Sequence, residues 1–255
     1  MEATAVIEPS AGKGLTGSTL KIIAIVTMFI DHIGAAIFED LRITSHVIAK
    51  GEAAYMTWGL IDLALRLIGR VAFPIFCFLL VEGFLHTRDV KKYALRLGIF
   101  CLISELPFNL AFYGQLSASA HQNVFFTLFI GLLVLIGLDH FKAGGWRCAL
   151  GRAVCTLAGA GVAALLRTDY SAFGVCVIVC FYLLHDKKIA RDISSMVALV
   201  AASPLEITGL LSLIPIHLYN GKRGISLKYF FYLFYPVHLL VLCCIRELLL
   251  LTVLS

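Results

Sequence analysis

Charged residues are scarce in this sequence. They make up 15% of the 255 residues, whereas hydrophobic residues make up 60%. A soluble domain has about 25% charged and about 45–50% apolar residues. The chain therefore has too few polar side chains to cover the surface of a water-soluble domain of its size. This composition excludes a soluble enzyme and indicates that lipid surrounds most of the chain.

The sequence also lacks internal repeats, CxxC pairs and a basic stripe with interleaved aromatic residues. Without such a stripe, the net charge of +5 does not predict nucleic-acid binding. Most of the eight cysteines lie within apolar runs, so we interpret them as small core residues and predict no metal site. Cys176 and Cys180 are one helical turn apart, but this spacing alone is weak evidence for a metal.

Apolar runs long enough to cross a bilayer fill most of the chain. A transmembrane helix needs about 20 predominantly apolar residues, and we predict an all-α, polytopic transmembrane helix bundle of about nine spans. The seventh and eighth spans are short, and a single helix bent at Pro204 would reduce the number to eight. The predicted spans are Leu20–Phe38, Leu60–Leu85, Lys91–Tyr113, Asn123–His140, Arg147–Leu166, Tyr170–His185, Ala190–Ala202, Leu205–Tyr219 and Lys228–Leu251.

Lysine and arginine residues predict the orientation, because they collect in cytoplasmic loops. With nine spans and the N-terminus inside, the outer segments hold only Arg42, Lys50 and Arg167 of the loop cations. We therefore predict a multi-pass membrane protein with its N-terminus inside and its C-terminus outside. Residues 1–19 are small and polar and are predicted to form a flexible cytoplasmic leader, followed by a single domain over residues 20–255.

Ionisable side chains interrupt several predicted spans. Each is costly in a membrane unless it is paired or wetted, so each is a candidate functional residue. One explanation is a structural ion-pair network, with Arg70 bound to Glu105 or Asp31, and the other is a wetted active-site cavity. The residues predicted to share the outer half are Asp31, His32, Arg66, Arg70, Glu105, Asn109, Asn123 and Glu206.

Lys21 and His32 share one face of the first predicted helix. Eleven steps of about 100° come within about 20° of three full turns, and the axial separation is about 16 Å. A cation at the inner mouth and a base in the interior suit a long donor with a phosphate head, such as coenzyme A. The alternative for His32 is a histidine that only packs in the core.

A glycine-bounded loop with Tyr219, Asn220, Lys222 and Arg223 forms a basic cluster on the predicted inner side. Backbone N–H groups and cationic side chains are typical phosphate ligands. This loop is therefore a candidate for the donor phosphates, with an ordinary cytoplasmic loop as the alternative. His238 is predicted to lie on the inner side near this loop, or to form a hydrogen bond between helices.

Several segments, taken in order, resemble the TraX family. They extend from Leu20 to Leu240, which is nearly the whole chain, and together they are specific. The segments are LKIIA followed by IDHIG, RLIGRVAFPIF followed by VEGF, SELPFNL, NVFFTL, YNGKRG and FYLFYPVH.

The resemblance implies acyl transfer by a multi-pass protein of the bacterial cytoplasmic membrane. The named member of the family is linked to N-terminal acetylation of a conjugative pilin, and the family is similar to a wider group of transmembrane acyltransferases. In that group a basic residue and a histidine, with ten residues between them, mark the first catalytic helix, and Lys21 and His32 fit this spacing. We expect cytoplasmic acetyl-CoA or another acyl-CoA as donor, and an amine or hydroxyl of an envelope protein, glycan or lipid as acceptor. A pilin-like protein is one candidate.

His32 is the expected general base, because imidazole is suited to proton transfer near neutral pH. Asp31 or Glu105 is expected to tune it, and Arg70 to pair with one of them or to stabilise the oxyanion. A transporter or binding protein with an intramembrane charged site is the alternative, although no internal repeat of the transporter kind is visible. A structural component of a secretion machine has no feature of its own here. The residues expected to bind the donor are Lys21, Tyr219, Asn220, Lys222, Arg223 and His238.

Overall fold

The computed structural model describes residues 14–42, 45–117, 121–226 and 228–254. Within these ranges the secondary structure is helical apart from two isolated bridges, which confirms the predicted all-α fold class. Of the predicted leader, residues 1–13 lie outside the described ranges, and the first helix begins at Gly17. The helices are α1 (Gly17–Ile33), which continues as a π-helix (Gly34–Phe38), α2 (Glu39–Arg42), α3 (Ser45–Ala49), α4 (Glu52–Gly69), α5 (Ala72–His86), α6 (Val90–Tyr113), α7 (Val124–His140), α8 (Trp146–Leu165), α9 (Ser171–Leu183), α10 (Lys188–Val200), a 3₁₀ helix (Pro204–Ser212), α11 (Leu213–His217) and α12 (Lys228–Leu254).

Five helical segments in the described ranges are long and apolar enough to cross a membrane, which supports the membrane assignment. The second predicted span, Leu60–Leu85, is part of a longer segment that is broken at Arg70 and Val71 into α4 and α5. The five segments are Gly17–Phe38, Glu52–His86, Val90–Tyr113, Trp146–Leu165 and Tyr229–Thr252, and the shorter apolar helices are Val124–His140, Ser171–Leu183 and Pro204–His217.

The chain reverses direction between α10 and the 3₁₀ helix. A Cβ atom built on Gly209 would lie 2.7 Å from the side chain of Leu199, and His217 Nε2 lies 2.6 Å from Asp192 Oδ2. Residues that are 25 positions apart would be far apart in one continuous helix, because each residue adds about 1.5 Å. The alternative of a single helix bent at Pro204 is therefore wrong, and the proline instead begins the returning segment.

The bundle packs around α1, α5, α7 and α9. The first of these lies against α4, α5 and α12, and α7 and α9 pack on α5 and α8. The largest fully buried side chains are apolar, among them Leu20, Ile75 and Phe181. By contrast, Leu157 and Leu165 of α8 are 71% and 84% exposed. Apolar side chains on the outer surface of a membrane bundle face lipid, so α8 lies at its periphery.

Polar residues at the helix starts fix where several helices begin. The side chain of Thr16 accepts a hydrogen bond from the N–H of Thr19, and Asn123 does the same for Phe125. These contacts satisfy N–H groups that have no partner within the helix.

The turns between the helices lie at two opposite ends of the bundle. We call the end with the turns after α6 and α8 the cavity end, and the end with the turns after α5, α9 and α11 the loop end.

Candidate functional site

A cavity of about 380 Å³ lies near the cavity end of the bundle. This volume falls within the range of small-molecule sites, about 300–1,000 Å³. Phenylalanines of α5 and α6 form its apolar wall. The polar side chains that line it include Asp31, His32, Arg66, Arg70, Asp169 and Tyr170. The cavity therefore combines an apolar wall with convergent ionisable groups.

His32 lies in the wall of the cavity, two residues before the π-helical segment. It is 9% exposed, and its Nδ1 lies 2.6 Å from Nε2 of His238 on α12. Of the two positions predicted for His238, the one beside the donor loop is wrong, because its ring lies next to His32, and the alternative of a hydrogen bond between helices is the one present. Wider helical turns often occur at functional sites. Here the widening begins at Gly34, where α1 approaches Asp62 of α4 closely.

An ion-pair network lines one side of the cavity. Arg66 Nη1 lies 2.7 Å from Asp31 Oδ2, and Arg70 lies 3.8 Å from Asp31 Oδ1 and 2.9 Å from Glu206 Oε1. Arg70 Nε and Glu206 Oε2 are buried and have no hydrogen-bond partner in the described part of the chain. Buried polar groups of this kind usually bind water or a ligand. The network therefore leaves one nitrogen and one oxygen without a protein partner in the described residues.

Gly69 allows Asp31 to reach this network. A Cβ atom at position 69 would collide with the Cβ, Cγ and Oδ1 atoms of Asp31. Helices can approach this closely only where one of them lacks a side chain. Gly69 is also the last residue of α4, so the break before α5 places Arg70 beside the same carboxylate.

Glu105 lies outside the cavity wall and bonds elsewhere. Its Oε2 accepts a hydrogen bond of 2.6 Å from Asn123 Nδ2, and the same amide group donates to the carbonyl oxygen of Cys101. Glu105 therefore holds the start of α7 against α6. The structure brings Asp31, His32 and Arg70 together at the cavity and places Glu105 in a separate interhelical contact.

Asp169 and Tyr170 are among the cavity residues that sequence reasoning missed, and both lie in the short turn between α8 and α9. Burial raises the pKa of Asp169, and Tyr170 stacks on Phe73 with ring centroids 3.6 Å apart. Tyr170 has a φ of 62°, a left-handed backbone conformation that is uncommon for a residue other than glycine. The available signal was a polar Thr-Asp-Tyr sequence between two apolar helices at the end where other charges converge.

The predicted donor loop is bonded to the start of α1. The carbonyl oxygens of Lys222 and Arg223 accept hydrogen bonds of 2.8 and 2.9 Å from the N–H groups of Gly17 and Ser18. The side chains of Lys222 and Arg223 are exposed. The loop therefore lies against the first turn of α1, which precedes Lys21.

The other donor-site candidates lie in the same region. Tyr219 forms an isolated β-bridge with Leu15, and Asn220 Nδ2 donates a hydrogen bond of 3.2 Å to the carbonyl oxygen of Gly14. The ammonium group of Lys21 lies 5.3 Å from the ring centre of Phe231 on α12. Five of the six donor candidates therefore cluster at the loop end, and His238 does not.

Two histidine–carboxylate pairs also lie at the loop end. His185 Nε2 lies 2.8 Å from Glu82 Oε1, and His217 Nε2 lies 2.6 Å from Asp192 Oδ2. Both histidines are partly exposed; the first pair joins the turn after α9 to α5, and the second joins α11 to α10. The carboxylates of Glu82 and Asp192 are buried, and each pairs with a histidine outside the cavity. The two pairs also supply matched controls for substitutions of His32.

Comparisons with known proteins give one consistent result. The chain is 29% identical over 251 residues to a protein of Dichelobacter nodosus described as "Probable fimbrial assembly protein FimC, serogroup H1", with 88% of this chain and 93% of the relative covered. No solved structure matches the chain. The family model described as TraX protein matches residues 16–246, which include the whole cavity and the loop between α11 and α12. The chain therefore belongs to the TraX family.

Proposed function

We propose that this protein is an integral membrane acyltransferase that moves an acetyl group from cytoplasmic acetyl-CoA to an amine or hydroxyl of an envelope acceptor. The main support is His32, a buried imidazole in an apolar helix at the wall of a cavity. An ionisable side chain at such a position is costly, so it is a candidate for function. Imidazole is also the group best matched to general-base catalysis near neutral pH.

The reaction needs one proton to move twice. The acceptor nitrogen or oxygen attacks the thioester carbonyl carbon while His32 takes the proton from that nitrogen or oxygen. The tetrahedral intermediate then breaks its C–S bond, and the leaving thiolate takes the proton from His32. The products are the acetylated acceptor and free CoA thiol, and His32 returns to its neutral form. The guanidinium groups of Arg66 and Arg70 are close enough to the cavity to stabilise the developing oxyanion.

The donor is proposed to bind at the loop end. Lys21, Lys222 and Arg223 supply positive charge there, and the basic loops favour a cytoplasmic location for this end. Lys21 and His32 are about 16 Å apart along α1. A donor with a phosphorylated head at the loop end therefore needs a long, narrow arm to bring its thioester to His32, and acetyl-CoA has such an arm.

The acceptor is proposed to enter from the cavity end. Glu39 and Asp169 place carboxyl groups in this part of the wall, beside aromatic side chains. The relative in Dichelobacter nodosus is named for fimbrial assembly. A subunit of a surface fibre is therefore our first candidate acceptor, with its amine or hydroxyl presented at the outer side of the membrane.

The test is direct. Purified protein in lipid nanodiscs, given acetyl-CoA labelled in the acetyl group and an envelope extract, should transfer label to an extract component and release one CoA thiol per acetyl group transferred. A transporter is the second candidate, because the Asp31–Arg66–Arg70–Glu206 network is a charged cluster within the spans. Saturable uptake into proteoliposomes without release of CoA thiol would favour transport and contradict the acyltransferase proposal.

A further inference from the structure

Two imidazole rings meet at the wall of the cavity. Nδ1 of His32 and Nε2 of His238 are 2.6 Å apart, the ring planes differ by 9°, and the ring centroids are 4.9 Å apart. Parallel rings with such a close nitrogen contact and such a wide centroid separation lie edge to edge in nearly one plane. The N–H bond and the lone pair of imidazole lie in the ring plane. The contact is therefore an N–H···N hydrogen bond and not a face-to-face stack.

The second nitrogen of His238 fixes the direction of this hydrogen bond. His238 Nδ1 lies 2.7 Å from the carbonyl oxygen of Phe234, one turn earlier in α12. A carbonyl oxygen only accepts, so Nδ1 of His238 carries the hydrogen. A neutral imidazole has one N–H, which makes Nε2 of His238 the acceptor and Nδ1 of His32 the donor. The lone pair of His32 is then on Nε2.

The surroundings favour two neutral rings. The rings of Phe29, Phe112 and Tyr235 pack edge-on against the two histidines. Neither histidine has a carboxylate partner in the described ranges, and Asp31, Arg66 and Arg70 of the cavity wall are paired among themselves. In hydrolases of the serine type a buried carboxylate orients the histidine. A carbonyl–imidazole pair can do this without placing a negative charge in the membrane, where such a charge is costly.

We infer that His238 is a positioning residue that holds His32 as its Nδ1–H tautomer and leaves the lone pair of Nε2 for the cavity. Nδ1 is occupied by His238, so the Nε2 edge is the one that remains for the acceptor. Histidine in water prefers the opposite tautomer, with its hydrogen on Nε2, and that form cannot take a proton at Nε2. The inference rests on the proposed role of His32 as general base and adds the residue that prepares it.

Solid-state ¹⁵N NMR of histidine-labelled protein in lipid bilayers tests the assignment without any activity measurement. The His32→Gln variant identifies the signals of His32. We expect a protonated Nδ1 and an unprotonated Nε2 for His32, with the Nδ1 hydrogen shared with Nε2 of His238. A hydrogen on Nε2 of His32, or on both nitrogens, would overturn the inference even if the protein proves to be an acyltransferase.

Two variants at position 238 test the consequence for turnover. The amide oxygen of His238→Gln can still accept from His32 Nδ1, whereas His238→Ala removes the acceptor. We expect His238→Ala to lower kcat by roughly 10–100-fold, the effect measured for residues that orient metal-binding histidines, with the KM for acetyl-CoA unchanged. His238→Gln should recover most of this loss, and His185→Ala should leave kcat unchanged.

The outcomes separate the two proposals. Equal kcat for wild type and His238→Ala, or no recovery in a folded His238→Gln protein, would refute the positioning role. If His238→Ala does not fold, the NMR tautomer and the His238→Gln rate decide. A wild-type protein with the expected tautomer but no acetyl transfer would leave the tautomer assignment intact and refute the proposed function.

Discussion

Substitutions of the ion pair between Arg70 and Glu206 can distinguish a structural role of the charged network from a role in the reaction. The two side chains are 14% and 4% exposed, and their closest atoms are 2.9 Å apart. Removal of one partner from a buried pair costs about 3–5 kcal/mol, because the other charge stays buried. Glu206→Leu leaves Arg70 with Asp31 at 3.8 Å as its remaining carboxylate partner in the described chain. We therefore expect Glu206→Leu to lower the free energy of unfolding by about 3–5 kcal/mol.

The double variant Arg70→Met with Glu206→Leu should recover most of the stability, because an apolar pair often replaces a buried ion pair at little cost. Thermal unfolding in detergent measures both effects. At about 2–4 °C per kcal/mol for a chain of this size, Glu206→Leu should lower Tm by roughly 6–20 °C. Lys142→Ala, which removes an exposed ion pair with Asp139, should change Tm little.

Turnover should behave differently from stability. The double variant lacks the guanidinium group of Arg70, so it should stay poorly active although it is folded. Full turnover in a folded double variant would refute a role of Arg70 in the reaction. If the double variant loses as much stability as Arg70→Met and Glu206→Leu lose in sum when each is made alone, the ion pair is not the reason for the loss.

Three further predictions concern the donor loop, the helix contact and the orientation. Lys222→Ala with Arg223→Ala should weaken acetyl-CoA binding by roughly 1.5–3 kcal/mol per contact at low salt and by less at high salt. Alanine at Lys187 and Lys188, which are exposed at the same end, should leave the affinity unchanged. Unchanged affinity in the Lys222 and Arg223 variant would exclude this loop from the donor site. Gly69→Ala should lower Tm and turnover, because the added methyl group costs about 1–3 kcal/mol by overpacking, and an unchanged Tm would contradict the close contact. Reporters fused between α7 and α8 and after the last residue should report opposite sides of the membrane, and two cytoplasmic signals would contradict the nine-span topology.

The apolar runs predicted the fold class well because a helix is the solution that satisfies every backbone group within one segment in lipid. The same runs gave the depth of each polar residue, because each residue adds about 1.5 Å. Asp31, Arg70 and Glu206 were expected at one depth, and the structure joins them in one network. Depth does not give the rotation of one helix against another, so Glu105 was expected with the cavity and lies instead against Asn123.

The misplacement of His238 has a simple physical reason. It is ten residues after the start of α12, a rise of about 15 Å, which is close to the depth of His32 below Lys21. The aromatic run before it suggested a membrane interface and drew the interpretation toward the loop. The contact with His32 joins residues 206 positions apart and depends on packing between α1 and α12. Asp169 and Tyr170 were missed because a short turn carries no periodic signal.

The most direct test of the account is the turnover of His32→Ala beside that of His185→Ala. Both substitutions remove a histidine that bonds another helix, but only His32 reaches the cavity. If His32 is the general base, His32→Ala should fold, bind acetyl-CoA as the wild type does and transfer acetyl groups about 10²–10⁴-fold more slowly, while His185→Ala keeps its rate. A folded His32→Ala protein with the wild-type rate per molecule would contradict the account.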